Sequence, residues 1–204
     1  MIHEGLKAND PTENKDYLVE LTIQLEELSG QDVNIPFHIK DIKDNGFVIK
    51  IHGLYAFISF DYMPWNYDDT NSWKAVLKSI REKQFYGRIY KFIKDPIFII
   101  VNGDVPQFKP LVLVEGEEYH GIIIRKNKSG VIFDIGDHFH WKCGSVLGFL
   151  PKSHFLSKID FSNINIGDHI QAYYFGSDEN DRRLFYKNKK KMDWYIDFQN
   201  KQKI

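Results

Sequence analysis

Apolar and polar residues alternate along most of the chain, with the period of two that is typical of strands burying one face. In VNIPFHIKDIKDN every second residue from Val33 to Ile39 is apolar. GFVIKI and LYAFISF follow after short turns at Asn45-Gly46 and His52-Gly53, so the three segments predict a meander. TNSWKAVLKSIREKQ instead places apolar residues at helical spacing, and FYGRIYKFIK and PIFIIV then predict two further strands.

The same order of elements recurs after the linker NGDVPQFKP. The second series comprises EEYHGIIIRKNK, GVIFDIG, SVLGFLPKS, the short segment HFLSKIDFSNINIGD, HIQAYYFGS and RRLFYKN. Aligning NGFVIKI with SGVIFDIG, and YAFISF with LGFLPKS, gives a weak internal repeat of about 85 residues. The pattern therefore predicts a mainly all-β protein built of tandem five-stranded OB-type barrels, with a helix between strands 3 and 4.

The domain boundaries follow from the linker and from the charge at the two ends. We predict an acidic N-terminal segment with one strand at 1–29, a first barrel at 30–105, a second barrel at 106–188 and a basic tail at 189–204. Residues 1–29 hold two Lys against seven Asp and Glu, a net charge of −5, whereas residues 187–204 hold six Lys against two Asp, a net charge of +4. The tail is either a phosphate contact or a solvated terminus, and both interpretations remain open.

The strand predicted in the N-terminal segment depends on the stretch YLVELTIQL. Its apolar residues alternate with mostly polar ones, which is the period of a half-buried strand. The alternating residues are Tyr17, Val19, Leu21, Ile23 and Leu25. We expect this strand to pair at an edge.

Composition limits the classes of protein that the chain can belong to. Its 204 residues, 43% of them hydrophobic, suit one or two folded domains. No run approaches the roughly 18 apolar residues of a membrane span, and the start lacks a secretory signal, so we expect a cytoplasmic protein. The single cysteine excludes an intramolecular disulfide. A net charge of −1 argues against wholesale nonspecific binding of polyanions.

Local catalytic motifs are absent from the sequence. It contains no GxSxG elbow, no P-loop glycine-lysine pattern and no HExxH. The acidic pairs Asp68-Asp69 and Glu117-Glu118 fall in predicted loops or at strand starts, where carboxylates are ordinarily solvated. We therefore expect a protein that is not an enzyme and that carries no cofactor.

The stretch DHFHWKC raises the question of a metal site. His138, His140 and Cys143 could supply three ligands, with Asp137 or His154 as a fourth. The spacing lacks the paired CxxC or HxxxH units of zinc patterns, and a lone cysteine in a barrel more often packs in the interior. The sequence therefore favours no metal, with these three residues as the candidates should one bind.

The second unit resembles the S1 family of RNA-binding OB-folds. HGIII matches the opening glycine strand of the family. SGVIFDIG matches the family motif GAFVDIG, and GFLPKSHF matches the motif GFLPxSxL. INIGDHIQAYY and RRLFYKN fit the last two strands, so the resemblance covers Glu117 to about Tyr186. In the first unit only NGFVIKI, GLYAFIS and the closing strands match, so that half resembles a diverged copy.

The resemblance implies that single-stranded RNA binds across the face formed by strands two and three. Alternation in GVIFDIG points Ile132 and Asp134 outward. Ile132 stands where the family usually has a stacking phenylalanine. Ser129 stands where the family often has an aromatic residue, and Pro151 where it often has histidine. The lengthened loop before the third strand should supply stacking rings and cations at the rim, and the closing hairpin carries basic residues where the family often has one. The predicted RNA-binding residues are His140, Trp141, Lys142, Lys152, His154, Arg182 and Arg183.

Two alternatives accompany this prediction. In the first, Trp141 and Phe139 plug the mouth of the barrel and only the polar loop residues face water. In the second, the diverged barrels no longer bind RNA and form a protein-protein interaction module. Exposed tyrosine and tryptophan rings suit an RNA or a protein partner equally, because both kinds of interface favour flat amphipathic rings.

Overall fold

The structure, a computed structural model, describes residues 11–190. Helix α1 spans Pro11–Glu27. The first barrel comprises β1 (Ile35–Lys43), β2 (Gly46–Ile51), β3 (Leu54–Ser59), α2 (Thr70–Arg81), β4 (Gln84–Lys94) and β5 (Ile97–Asn102). The second comprises β6 (Glu118–Lys126), β7 (Gly130–Asp134), β8 (Leu147–Pro151), α3 (Lys158–Asn163), β9 (His169–Ser177) and β10 (Arg183–Tyr186).

Both sheets close into five-stranded barrels of the same topology. The first runs β1-β2-β3-β5-β4, and β4 pairs with β1 to close it. The second runs β10-β8-β7-β6-β9, and β9 pairs with β10. In each barrel the third and fifth strands are parallel, through Phe57 and Ile100 in the first and Phe149 and Leu184 in the second. This strand order fits an OB-like fold.

Close strand packing explains why both barrels have a glycine at the start of their second strand. A Cβ atom built on Gly46 would lie 2.2 Å from the carbonyl oxygen of Ile58, and one on Gly130 would lie 2.4 Å from that of Leu150. Both distances are far inside van der Waals contact, so a side chain would push the neighbouring strand away. The glycines that align the two halves are thus required by the barrels themselves.

Helix α2 packs between the two barrels. Its N-cap is Asp69, whose carboxylate accepts the backbone N–H of Ser72 at 2.9 Å. Trp73, Val76 and Ile80 lie on one face of the helix and are buried in the core of the first barrel. The hydroxyl of Ser72 also donates to the carbonyl of Ile124 on β6, at 3.3 Å. One helix therefore completes the first barrel and contacts the second.

The strand predicted in the N-terminal segment is wrong, because residues Pro11–Glu27 form helix α1. Leu21 and Leu25, four residues apart, are buried against the first barrel, while Val19 and Ile23 are exposed. A helix buries residues three or four apart, whereas a strand would have buried every second one. The same apolar residues fit both periods, and Glu, Leu and Gln favour the helix.

Two further expectations concern the ends of the chain. No helix within the described residues 11–190 has the length and apolar character needed to cross a membrane. The basic tail from Lys191 onward lies outside the described residues, and so do the first ten residues of the acidic segment.

Candidate nucleic-acid interface

The first barrel covers part of the face that the resemblance assigns to RNA. Ile122 and Ile124 point out of the second barrel on β6, yet they are buried in the apolar cluster of the first barrel and α2. Asp134 on β7 points out of the second barrel, as the alternation predicts, but its side chain is completely buried beneath Tyr67 of the first barrel. Only the side of the face towards β8 and β10 remains open.

Asp134 is the polar centre of the contact between the barrels. One carboxylate oxygen accepts the hydroxyl of Tyr67 at 2.6 Å and also that of Ser145. The other accepts the backbone N–H groups of Gly136 at 2.7 Å and Val146 at 2.9 Å. Burial raises the pKa of Asp134, and hydrogen bonds from Ser145 and Tyr67 oppose that rise. Each carboxylate oxygen of Asp134 thus accepts two hydrogen bonds, so the buried side chain has a structural role.

Trp141 does not offer a stacking surface to RNA, so this part of the prediction is wrong. Only 2% of the residue is exposed, and its ring stacks on Trp65 of the first barrel at 5.4 Å between centroids. The indole N–H donates to the hydroxyl of Ser79 on α2 at 2.7 Å. Trp141 therefore joins the two barrels. It is buried, as in the alternative in which it plugs the mouth of the barrel, but it packs against the first barrel.

His140 and Lys142 flank Trp141 and are exposed, but they lie away from the face of strands β7 and β8. The loop turns sharply here, since His140 and Trp141 both adopt left-handed backbone angles, with φ of 52° and 61°. This turn directs the flanking residues to a cleft between the barrels that Tyr86 of β4 also lines. The predicted site residues thus divide between two separate places.

The open part of the second barrel's face is a groove centred on Phe149. In the register of the strands, Ile132, Phe149 and Leu184 form an outward row across β7, β8 and β10. Phe149 is half-buried, and the guanidinium carbon of Arg182 lies 5.4 Å from its ring centroid. The groove has a volume of about 300 Å³, and its lining comprises Asn127, Ser129, Ile132, Leu147, Gly148, Phe149, Asp181, Arg182 and Arg183.

The arginines belong to the hairpin between β9 and β10, which Asp178 organises. Its carboxylate accepts the backbone N–H groups of Asn180 at 2.9 Å and Arg182 at 3.0 Å. It also accepts the Nε–H of Arg182 at 2.8 Å, and this side-chain hydrogen bond holds the pKa of Asp178 below its usual value. Arg183 is exposed beside it. Arg182 is therefore held over Phe149, whereas Arg183 forms no ion pair with any of residues 11–190.

Lys152 and His154, also predicted to bind RNA, lie outside the groove. The ammonium of Lys152 is 5.0 Å from the ring centroid of Phe161, and Lys126 lies at the same distance from that ring. The ring of His154 stacks on Tyr186 at 3.6 Å, and its Nδ1 is 3.0 Å from the carbonyl oxygen of Phe185. These contacts stabilise the region beyond β8.

The metal candidates do not converge. Within residues 11–190, no three His, Cys, Asp or Glu side chains are arranged to hold a metal ion. His138 packs against His120 at 4.3 Å between ring centroids, and burial together with the charge of His120 lowers its pKa. Cys143 packs against the apolar core of the second barrel.

Phe149 and Leu147 are the groove residues that the sequence prediction missed. The signal was present in LGFLP, because burial of Gly148 and Leu150 leaves the other residues of the strand on the outer face. Phe149 stands in the motif GFLPKS that carries the resemblance, whereas the predicted stacking rings came from the longer loop before it. The first barrel has the corresponding outward row in Val48, Phe57 and Ile100.

The closed barrels fit an OB-like fold, and the second barrel carries an aromatic and basic groove. No protein-family model matches the sequence, and no curated protein matches it. Among solved structures, the chain is similar to a multidomain protein with nucleic acid binding domains from Streptococcus pneumoniae TIGR4, with 16% identity and a TM-score of 0.33. The match covers 78% of this chain and 52% of the other, so the chain spans about half of that protein's length. A similarity this low assigns no function.

Proposed function

We propose that the chain is a non-catalytic protein that binds single-stranded RNA in the groove of the second barrel. The observation that carries the proposal is the half-buried ring of Phe149, with Arg182 held over one side and Arg183 exposed beside it. An aromatic ring offers a surface on which a base can stack, and arginine can pair with phosphate or stack on a base. Both groups that single-stranded nucleic acid requires thus occur in one groove.

The apolar part of the groove supports the same proposal. Ile132 and Leu147 flank Phe149, and 40% of Leu147 is exposed. Stacking of one base on an aromatic side chain contributes about 1–3 kcal/mol to binding in such sites. The contribution depends little on the nucleotide sequence, because every base has a π-face. We therefore expect weak sequence preference and a marked dependence of affinity on salt.

The composition of the groove favours binding over catalysis. Asp181 is the one carboxylate among its described lining residues, which include no histidine or cysteine. The hydroxyl of Ser129 donates to the side chain of Asn127 at 2.6 Å, so it has no adjacent base to activate it.

Fluorescence anisotropy with a labelled, unstructured oligonucleotide tests the proposal. In the variant Arg182→Ala/Arg183→Ala, we expect weaker binding and a slope of log K against log salt that is shallower by about 0.7. This is the value for one phosphate contact, made by Arg183, because the guanidinium of Arg182 is paired with Asp178. Lys74→Ala/Lys78→Ala on α2 is the matched control and should keep the wild-type slope. Binding that survives the arginine changes but is lost when residues 187–204 are removed would assign the contact to the tail.

The second candidate is a protein interaction module, and the exposed apolar side chains of the first barrel favour it. Tyr55 is 68% exposed, Ile97 51% and Phe98 45%, on strands β3 and β5. Exposed apolar residues of this size are frequent at protein interfaces. If pooled single-stranded RNA at low salt leaves the anisotropy unchanged, the RNA proposal fails and this candidate takes its place.

A further inference from the structure

A second cleft lies between the two barrels, away from the groove. Its volume is about 240 Å³. It receives side chains from the turn after α2 and from β4, from the linker after β5, and from the loop before β8. The lining comprises Lys83, Gln84, Phe85, Tyr86, Gln107, Phe108, Lys109, His140, Trp141 and Lys142.

Three lysines from three different segments meet in this cleft, and no carboxylate lines it. Lys83, Lys109 and Lys142 form no ion pair within the described residues 11–190. By contrast, Arg125 pairs with Asp68 and Asp69 across the same two barrels. Glu82 and Asp137 line a neighbouring cavity that shares only Lys83 with this one. Like charges that converge without counter-charges repel, and an anionic ligand would relieve the repulsion.

The walls of the cleft are fixed by hydrogen bonds. The backbone N–H of Lys109 donates to the carbonyl of Lys142 at 2.9 Å and so ties the linker to the loop. The side chain of Gln107 accepts the N–H of Tyr86 at 2.9 Å and donates to its carbonyl at 3.0 Å. The Tyr86 hydroxyl accepts the side chain of Gln84 at 2.8 Å, and 40% of Tyr86 is exposed. An aromatic ring is therefore presented beside the lysines in a defined place.

We propose that this cleft binds a nucleotide unit, with its phosphate held by the three lysines and its base packed against Tyr86. Drug-sized ligands usually occupy pockets of about 300–1,000 Å³, so a smaller cleft suits one planar ring with its charged group. The unit is either a free mononucleotide or one nucleotide of a longer strand. The site does not depend on the groove, because no residue lines both.

A titration followed by ¹H–¹⁵N NMR spectra of the full chain tests the site with three probes: uridine monophosphate, an eight-nucleotide oligouridine and inorganic phosphate. We expect uridine monophosphate to shift the amide signals of Tyr86 and Lys109. Lys109→Ala/Lys142→Ala should weaken this binding at least about 10-fold, as the loss of two charge-assisted contacts implies. The control Lys74→Ala/Lys91→Ala, which changes two exposed lysines elsewhere, and the groove variant Arg182→Ala/Arg183→Ala should both bind as the wild type does.

The outcomes separate the two sources of the nucleotide. If the oligouridine alone shifts these signals, and Lys109→Ala/Lys142→Ala abolishes the shifts, the unit belongs to a strand. If uridine monophosphate also shifts them, the cleft accepts free nucleotides. Binding of inorganic phosphate as tight as that of uridine monophosphate would overturn the nucleotide assignment, and so would unchanged signals with both nucleotide probes. Because all lysines in these variants are exposed, their dispersed spectra serve as the control for folding.

Discussion

The hydroxyl oxygen of Tyr67 lies 2.6 Å from Oδ2 of Asp134, and this hydrogen bond joins one barrel to the other. Both side chains are buried, and the Tyr67 ring also packs edge-on against Trp73 of α2 at 4.5 Å. A buried carboxylate is stable only when its oxygens are hydrogen-bonded. The contact between the barrels is therefore a specific interface, and it determines which part of the second barrel stays open to a ligand.

Removal of the Tyr67 hydroxyl should destabilise the protein. In Tyr67→Phe the buried Asp134 loses one donor, and we expect the free energy of unfolding to fall by about 1–3 kcal/mol. Urea unfolding followed by circular dichroism measures the change. Tyr55→Phe is the matched control, because Tyr55 is exposed, and it should change stability by less than about 0.5 kcal/mol. Equal stabilities of the two variants would contradict the importance of the bond.

The raised pKa of Asp134 predicts a dependence of stability on pH. At a pH between 3.8, the usual pKa of an aspartate, and the raised pKa of Asp134, the folded protein keeps a proton on this side chain. The unfolded chain has already released that proton. The free energy of unfolding contributed by this group is therefore fully present below 3.8 and falls as pH rises through the raised pKa. Urea unfolding across a pH series should show this decrease in the wild type and lack it in Asp134→Asn. The same slope in both proteins would refute the assignment.

Trp141 should matter for stability and only indirectly for RNA. Trp141→Ala leaves a cavity against Trp65, and we expect a loss of about 3–5 kcal/mol in the free energy of unfolding. The adjacent exposed residue gives the control, since Lys142→Ala should change stability by less than about 0.5 kcal/mol. Folded Trp141→Phe should bind an oligonucleotide as the wild type does. Impaired RNA binding by a Trp141→Phe protein of wild-type stability would restore its predicted role in stacking.

Phe149 should contribute to RNA affinity through its ring. In Phe149→Leu we expect binding to an unstructured oligonucleotide to weaken by about 1–3 kcal/mol, the usual effect of losing one stacked base. Phe57→Leu changes the corresponding position of the first barrel and should leave the affinity unchanged. Anisotropy titrations of the two variants at one salt concentration compare them directly. A larger effect of Phe57→Leu would move the site to the first barrel.

The barrels were predictable from sequence because strand alternation and turn residues are local signals. Gly46 and Gly130 repeat at the start of the second strand, where only glycine fits between neighbouring strands. Helix α1 was not predictable in the same way. Leu21 and Leu25 satisfy a period of two and a spacing of four, and only packing against the first barrel distinguishes the two periods.

The candidate site was predictable in part. Arg182 and Arg183 lie in the groove, because the position of the closing hairpin follows from the strand order. The burial of Asp134 and Trp141 was not predictable, because a sequence pattern separates the inside of a barrel from its outside but does not show which outside surface a second barrel covers. Packing between domains is set by tertiary contacts, and no local period encodes it.

Ultraviolet cross-linking of an oligonucleotide that carries 4-thiouridine, with the modified peptides located by mass spectrometry, tests the central claim most directly. We predict that the principal cross-link falls on Phe149 or its neighbours in β8, and that Arg182→Ala/Arg183→Ala reduces its yield. Cross-links confined to α1 or to residues 191–204, or none at low salt, would contradict RNA binding by the groove of the second barrel.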